Sequence, residues 1–219
     1  MPGEDSPKDP QEKRRKAMVG EQLVTRGISD PNVLAAMGAV PRHRFVPPEL
    51  VGHAYADGPL PLGHGQTISQ PYVVAVMTEL AGAAPGQRAL DVGCGCGYQT
   101  AVLAEIVDEV YAMELVPELA DAAEQRLDEL GVKGVHVRQG DGWNGWPEVA
   151  PFQLVLVACA ADRVPPPLVE QLAPGGRLVM PVGGRGVQRL TVVEKHSDGT
   201  SDERIHDAVA FVPMLRAPL

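Results

Sequence analysis

No run of 18 or more apolar residues interrupts the 219-residue sequence, and the first residues, Met1 to Lys16, are proline-rich and charged and carry no apolar leader core. A membrane-spanning helix and a secretory leader are therefore not expected, and a cytoplasmic location is. Cysteine is scarce and odd in number, three in all, and Cys94 and Cys96 stand one residue apart, which disfavours an ordinary mutual disulfide. A reducing compartment fits. Basic charge is also short: 19 Lys and Arg against 28 Asp and Glu leave a net charge of -9. Neither nucleic acid nor a membrane surface is an expected partner. No internal repeat is visible. What is present, 44% hydrophobic and 21% charged residues, is the balance of a chain that buries a core, and the length favours one domain.

The 24 glycines and 21 prolines punctuate that chain. Residues 1–10 lack apolar anchors and read as a disordered tail, and an amphipathic segment over 11–25 is stopped by Gly27. Asp30-Pro31 predicts a capped helix to Ala39, and residues 42–71 form a long irregular stretch of the kind that carries function. Pro71 opens a helix closed by Gly82. From there short apolar runs at 88–92, 109–113, 134–138, 152–158 and 177–182 alternate with helical patterns at 97–106 and 117–130. That order implies an α/β fold with a parallel sheet. Runs at 189–195 and 208–213 flank Asp198-Gly199 and predict a C-terminal antiparallel hairpin.

Gly93, Gly95 and Gly97 follow the first strand directly and precede a helix. Glycine there permits a tight turn and lets a ligand lie on bare backbone, although a turn without a ligand would look the same. Tyr98 and Thr100 leave the dinucleotide pattern G-x-G-x-x-G incomplete in either register, which argues against NAD and FAD. Asp91 heads the run and Glu114 ends the next strand about 20 residues on, where a carboxylate can accept from two ribose hydroxyls. Asp141, in Gly140-Asp141-Gly142, falls at the same sheet edge; it is placed to meet an adenine amino group or to make an ordinary turn. Trp143 and Trp146 supply aromatic surface or core. C-x-C plus a distant Cys159 lacks the ligands of a zinc site, so no metal is expected.

The G-x-G-x-G turn resembles the first motif of class I S-adenosylmethionine-dependent methyltransferases. Beyond it, the chain from about Met18 to Leu215 resembles the protein-L-isoaspartate O-methyltransferase family. The resemblance is carried by Tyr55-Ala56-Asp57, Pro59-Leu60, Gly63 through Pro71 (GHGQTISQP), Ala150-Pro151-Phe152, Pro166-Pro167-Leu168, Gly175-Gly176, Pro181-Val182-Gly183 with Gln188, and Phe211-Val212-Pro213. It implies a doubly wound, mostly parallel sheet, the Rossmann-like methyltransferase fold, with an N-terminal helical extension. Residues 11–219 would form one methyltransferase domain: helices and active-site loop over 11–70, cofactor-binding core over 71–183, and C-terminal strands over 184–219.

The implied reaction methylates the alpha-carboxyl of L-isoaspartyl residues in damaged proteins and peptides with S-adenosyl-L-methionine, leaving S-adenosyl-L-homocysteine. The ester then closes to a succinimide, which begins repair. Ser69 is the implied catalytic residue. Gln66, Thr67, Ile68, Ser69, Asp91, Gly93, Gly95, Gly97, Glu114, Leu115, Asp141 and Gly142 would bind the cofactor, and Ser69, Val182 and Gln188 the substrate. A hydroxyl that aligns and hydrogen-bonds the carboxylate suffices, because a carboxylate is already the nucleophile. The other reading of Ser69 is a cap for the helix at Pro71. A monomer is expected. Cys94 and Cys96, where relatives commonly carry Thr or Ser, predict peroxide sensitivity beside the cofactor. Two rivals stand beside repair: methylation of an aspartate in a biosynthetic peptide, which the short C-terminal stretch after Pro213 disfavours, and a non-catalytic cofactor-binding module.

Overall fold

The computed structural model describes residues 10–184 and 186–217, so residues 1–9 of the expected tail lie outside it. Helix α1 (Glu12–Met18) continues through a π turn and a 3-10 turn to Arg26, and Gly27, at φ 92°, ends it. The Asp30 side chain caps α2 (Pro31–Ala39) by accepting from the backbone N–H groups of Asn32 and Val33. Met18, Leu23, Val33 and Met37 are buried from these segments into the main core. The irregular stretch that follows contains a small antiparallel hairpin, β1 (Leu60–Gly63) and β2 (Gln66–Ile68). Gly63, His64 and Gly65 at its tip all have positive φ, which makes His64 a turn residue. Helix α3 (Pro71–Ala81) comes next and stops at Gly82, φ 69°.

The remainder is one seven-stranded sheet. Its strands are β3 (Arg88–Val92), β4 (Glu109–Glu114), β5 (Val135–Gln139), β6 (Phe152–Val157), β7 (Leu172–Val182), β8 (Gln188–Lys195) and β9 (Ser201–Val209). They lie in the order β5-β4-β3-β6-β7-β8-β9. The five strands β3 to β7 pair in parallel, joined by α4 (Tyr98–Ala104), α5 (Pro117–Glu129) and α6 (Pro166–Glu170), and β8 and β9 close the sheet antiparallel. The chain moves outward from β3 to β4 and β5, then returns to the other side of β3 with β6. That reversal opens a crevice at the carboxyl ends of β3 and β6, where ligands of such sheets gather.

Strand periodicity sends alternate residues to opposite faces. Ala89, Leu154, Leu156 and Val179 join the core beneath α3, α4 and the N-terminal helices. Leu90, Val92, Val155, Val157, Leu178 and Met180 join a second core with Leu168 of α6 and Met214, against which Trp143 and Trp146 pack. The tryptophans are thus packing residues.

Two boundaries depart from the sequence reading. The last strand covers 201–209 and not 208–213, because it is the outer edge: Ser201 to Ile205 are all exposed, so no burial alternation marks them. Its register comes from the turn, where the N–H and hydroxyl of Thr200 both donate to Asp198 Oδ1 at 2.9 and 2.6 Å. Strand β7 starts at Leu172, five residues early, across the Pro174-Gly175-Gly176 run that disguises it in the sequence.

Candidate active site

The glycine turn is tied to the end of the neighbouring strand. Gly93 N and Cys94 N both donate to Met113 O, at 2.8 and 3.1 Å, and Gly95 N donates to Glu114 Oε2 at 2.9 Å. The other Glu114 oxygen accepts from Leu115 N and Val116 N at 2.8 and 3.0 Å. One carboxylate therefore fixes both the turn after β3 and the turn after β4. Gly97 is the N-cap of α4 at φ 85°, and a Cβ there would stand 3.2 Å from Leu127 of α5. At Gly142 a Cβ would stand 2.3 Å from Val92 Cγ1, so the chain after β5 passes this close to β3 only because the residue is glycine.

These turns frame a cavity at the carboxyl ends of β3 and β4. Gln66, Thr67, Ile68 and Ser69 of the hairpin close it on one side, and Gly93, Gly95, Glu114, Leu115 and Gly142 line the other. Met113, Val116 and Met214 add apolar wall. A carboxylate at the end of β4, bare backbone after β3 and apolar surface between them suit a ligand that joins a polyol, an amino-acid moiety and a flat apolar ring. S-adenosyl-L-methionine has those parts.

The structure sets the other expected site residues apart from that wall. Asp91 is wholly buried behind the turn; its Oδ2 accepts from the Thr100 hydroxyl at 2.6 Å and its Oδ1 has no partner. Burial, with the nearby Glu114 charge adding and the Thr100 bond opposing, pushes its pKa up to about 7. Gly97 serves α4, and Asp141 accepts from Trp143 N at 3.0 Å and Ala217 N at 3.3 Å, bracing the turn that presents Gly142. Val182 packs against the second core. Gln188 is buried, donates to Gly184 O and accepts from Phe211 N at 2.9 Å. Neither Val182 nor Gln188 lines this cavity or the one beside it. Ser69 is not a cap either: the N-cap of α3 is Gln70, and no side chain caps that end.

Burial also pushes all three thiols up, Cys159 to about 12. With so little thiolate at neutral pH, the expected peroxide sensitivity loses its chemical basis.

A second, larger cavity adjoins the first. Arg26, Pro59, Gln70, Tyr72, Val73 and Val76 form one wall, and Val187, Leu190 and residues 207–212 form the other. Thr67, Ser69, Ala158 and Val212 line both cavities. The C-terminal segment reaches this junction by crossing the end of β6: Ala160 N donates to Val212 O and Met214 N to Ala160 O, at 2.8 and 2.7 Å. Sequence reasoning put 208–213 in a strand and so missed Met214 and Leu215 as lining residues. The only signal for this region was the Phe211-Val212-Pro213 segment of the resemblance.

The model of the family described as Protein-L-isoaspartate(D-aspartate) O-methyltransferase (PCMT) matches residues 13–217. A protein-L-isoaspartate O-methyltransferase of Picosynechococcus sp. is 52% identical over 213 residues, 97% of this chain and 95% of the relative. A solved protein-L-isoaspartate O-methyltransferase superposes with a TM-score of 0.83 at 26% identity, covering 91% of this chain and 65% of that longer one. A Plasmodium falciparum structure described with the same activity, in complex with S-adenosyl-L-homocysteine, gives 0.81 at 25% identity over 93% of this chain and 99% of its own. With its sheet order, its glycine turn and a family match over nearly its whole length, the chain belongs to the protein-L-isoaspartate(D-aspartate) O-methyltransferase family.

Proposed function

We propose that this chain is a protein-L-isoaspartate (D-aspartate) O-methyltransferase that transfers methyl from S-adenosyl-L-methionine to the alpha-carboxyl of L-isoaspartyl residues in damaged proteins and peptides. The observation that carries this reading is the junction: Thr67, Ser69, Ala158 and Val212 line both the cavity at the sheet edge and the larger one beside it. S-adenosyl-L-methionine supplies an electrophilic methyl on a sulfonium. Glu114, Gly93, Gly95, Leu115 and Gly142, with Gln66, Thr67 and Ile68 opposite, would hold it in the first cavity, which they line. Asp91, Gly97 and Asp141 stand behind these residues and keep their turns in shape.

At the junction Ser69 donates a hydrogen bond to the substrate carboxylate and orients it for in-line attack. No base is needed, since the nucleophile is already an anion and no proton moves. Bound there, the cofactor would supply the methyl, which the carboxylate oxygen oriented by Ser69 would take up while the sulfur kept the bonding electron pair. Apolar Val212 and Ala158 help exclude water, the competing nucleophile. The released ester closes to a succinimide without help from the protein. We take residues 11–219 as one domain that acts as a monomer in the cytoplasm; among the described residues no helix is long and apolar enough to cross a membrane.

The test is methyl transfer from labelled cofactor to two peptides that differ only in an L-isoaspartyl or L-aspartyl linkage, scored as base-released methanol. Label on the isoaspartyl peptide alone is expected; equal label on both, or on neither, overturns the reading. Ser69→Ala is expected to lower kcat roughly tenfold or more, the loss of one hydrogen bond to a charged group being about 1.5–3 kcal/mol, with S-adenosyl-L-homocysteine affinity retained.

A further inference from the structure

Asp57 lines neither cavity, yet it grips two residues that do. Arg26 Nη1 donates to Asp57 Oδ1 at 3.2 Å and Arg26 Nη2 donates to Oδ2, a forked pair across 31 residues. The same Oδ1 accepts from Gln70 Nε2 at 2.6 Å. The Arg26 guanidinium lies over the Tyr72 ring, 5.0 Å from its centroid. Arg26, Gln70 and Tyr72 all face the second cavity.

The Asp57–Gln70 bond closes the base of the segment that forms the β1–β2 hairpin, and that hairpin delivers Thr67 and Ser69 to the junction. The chain just before Asp57 is pinned independently: Ala54 O accepts from Arg42 Nε at 2.7 Å and Tyr55 O from Gln22 Nε2 at 2.8 Å. Gln70 occupies the N-cap position of α3, but its side chain makes no cap bond and reaches back to Asp57 instead. As an ion pair, Arg26–Asp57 is too open to contribute much stability, the side chains being 40% and 32% exposed. Its fork geometry does fix orientation.

We propose that Asp57 is a positioning residue for methyl transfer: by holding Arg26 and Gln70 together it locks the hairpin base, sets Ser69 at the junction and keeps one wall of the second cavity in place. The proposal rests on the functional reading above. A displacement of about 1 Å at a reacting group is enough to cost large factors in rate. The loss of Asp57 is therefore felt most in turnover and in peptide binding, and less in the first cavity, where the hairpin supplies one wall and Glu114 holds the turns of the other.

Initial rates with the isoaspartyl peptide, and S-adenosyl-L-homocysteine binding by calorimetry, are measured for the wild type, Asp57→Asn, Arg26→Ala and the double variant. Each single variant is expected to lower kcat and raise peptide KM, with kcat/KM down roughly tenfold or more. The double is expected to be no worse than the poorer single, because the two residues act as a unit. Cofactor-product affinity is expected to fall by clearly less than kcat/KM, by under the tenfold that corresponds to about 1.4 kcal/mol. Unchanged kcat/KM in the singles, losses that multiply in the double, or cofactor affinity falling in step with rate each overturn the proposal. If Asp57→Asn does not fold, Gln70→Met keeps the side-chain length and removes the amide that donates to Asp57, and an unchanged kcat/KM there overturns it as well. A wild type inactive on the isoaspartyl peptide overturns the functional reading itself; an active wild type with unaffected variants removes only the role of Asp57.

Discussion

The cavity around Glu114 is framed largely by turns that leave four parallel strands, β3, β4, β5 and β6, whereas its neighbour around Tyr72 is framed by pieces from far apart: Arg26, the stretch around Gln70 and the end of β9. The first inherits its geometry from the sheet. Its backbone groups are held by neighbours already paired along β3 and β4, as when Gly93 N meets Met113 O. The second depends on side chains to bring its walls together: Arg26 on Asp57, Gln70 on Asp57, and Gln188 on Phe211. The difference teaches where each is vulnerable. The sheet-borne cavity fails when a buried backbone group loses its acceptor, and the assembled cavity fails when a side-chain tie is cut.

The largest effect is expected at Glu114. Glu114→Ala strips the acceptor from three backbone N–H groups, those of Gly95, Leu115 and Val116. Leaving one such buried donor unmade costs about 1–3 kcal/mol. S-adenosyl-L-homocysteine affinity measured by calorimetry should therefore fall on the order of 100-fold, about 2.7 kcal/mol. If it falls no further than in Asp57→Asn, the two cavities are not held independently and the contrast between them breaks.

A smaller effect, but one with a defined pH signature, belongs to Asp91. Its folded pKa is about 7 against an ordinary value of 3.8, raised first by burial. A carboxyl whose folded pKa is raised binds its proton more tightly in the native state, so its favourable contribution is fullest at low pH and is lost as pH rises toward 7. Asp91→Asn cannot ionise and keeps an oxygen for the Thr100 hydroxyl. Melting temperatures of the two proteins from pH 5 to 8 should show the variant gaining on the wild type as pH rises, with the change levelling off above about 7. Parallel profiles would mean that Asp91 stays charged throughout and holds no proton behind the first cavity.

How much of this was legible follows the same division. The turn over Gly93 to Gly97 and the acid at Glu114 could be read from local spacing, because a glycine turn after a strand and a carboxylate at the next strand end are fixed by the parallel sheet itself. Spacing does not say which way a side chain faces. Asp91 and Asp141 were read as ligand groups, and their carboxylates turn instead to Thr100 and to the backbone of Trp143 and Ala217. The hairpin residues Gln66 to Ser69 were reached through resemblance alone, since nothing in their composition marks them. Arg26 at the second cavity could not be found by any local rule: it is brought there by Asp57, 31 residues on. The C-terminal crossing over Ala160 was hidden because an exposed edge strand leaves no alternation to count, so Val212 to Leu215 were assigned to the wrong structure or to none.

Gln188 gives the finest test of the division between holding a wall and being one. The resemblance implies contact with substrate, yet the side chain is buried, touches neither cavity and ties Phe211, which does line the second, to Gly184. Gln188→Met keeps the length of the side chain and removes both bonds, orphaning the Phe211 N–H and the Gly184 carbonyl. A loss of about 1–2 kcal/mol in folding stability is expected, read as a lower denaturant midpoint at unchanged slope. Peptide KM should rise only modestly, because Phe211 also follows a strand whose register is set independently by Val209 against Gln188 and Ala208 against Arg189. The opposite pattern, a large rise in KM with stability intact, would place the Gln188 amide on the substrate, and the wall around Phe211 would then be a contact surface that moves when peptide enters.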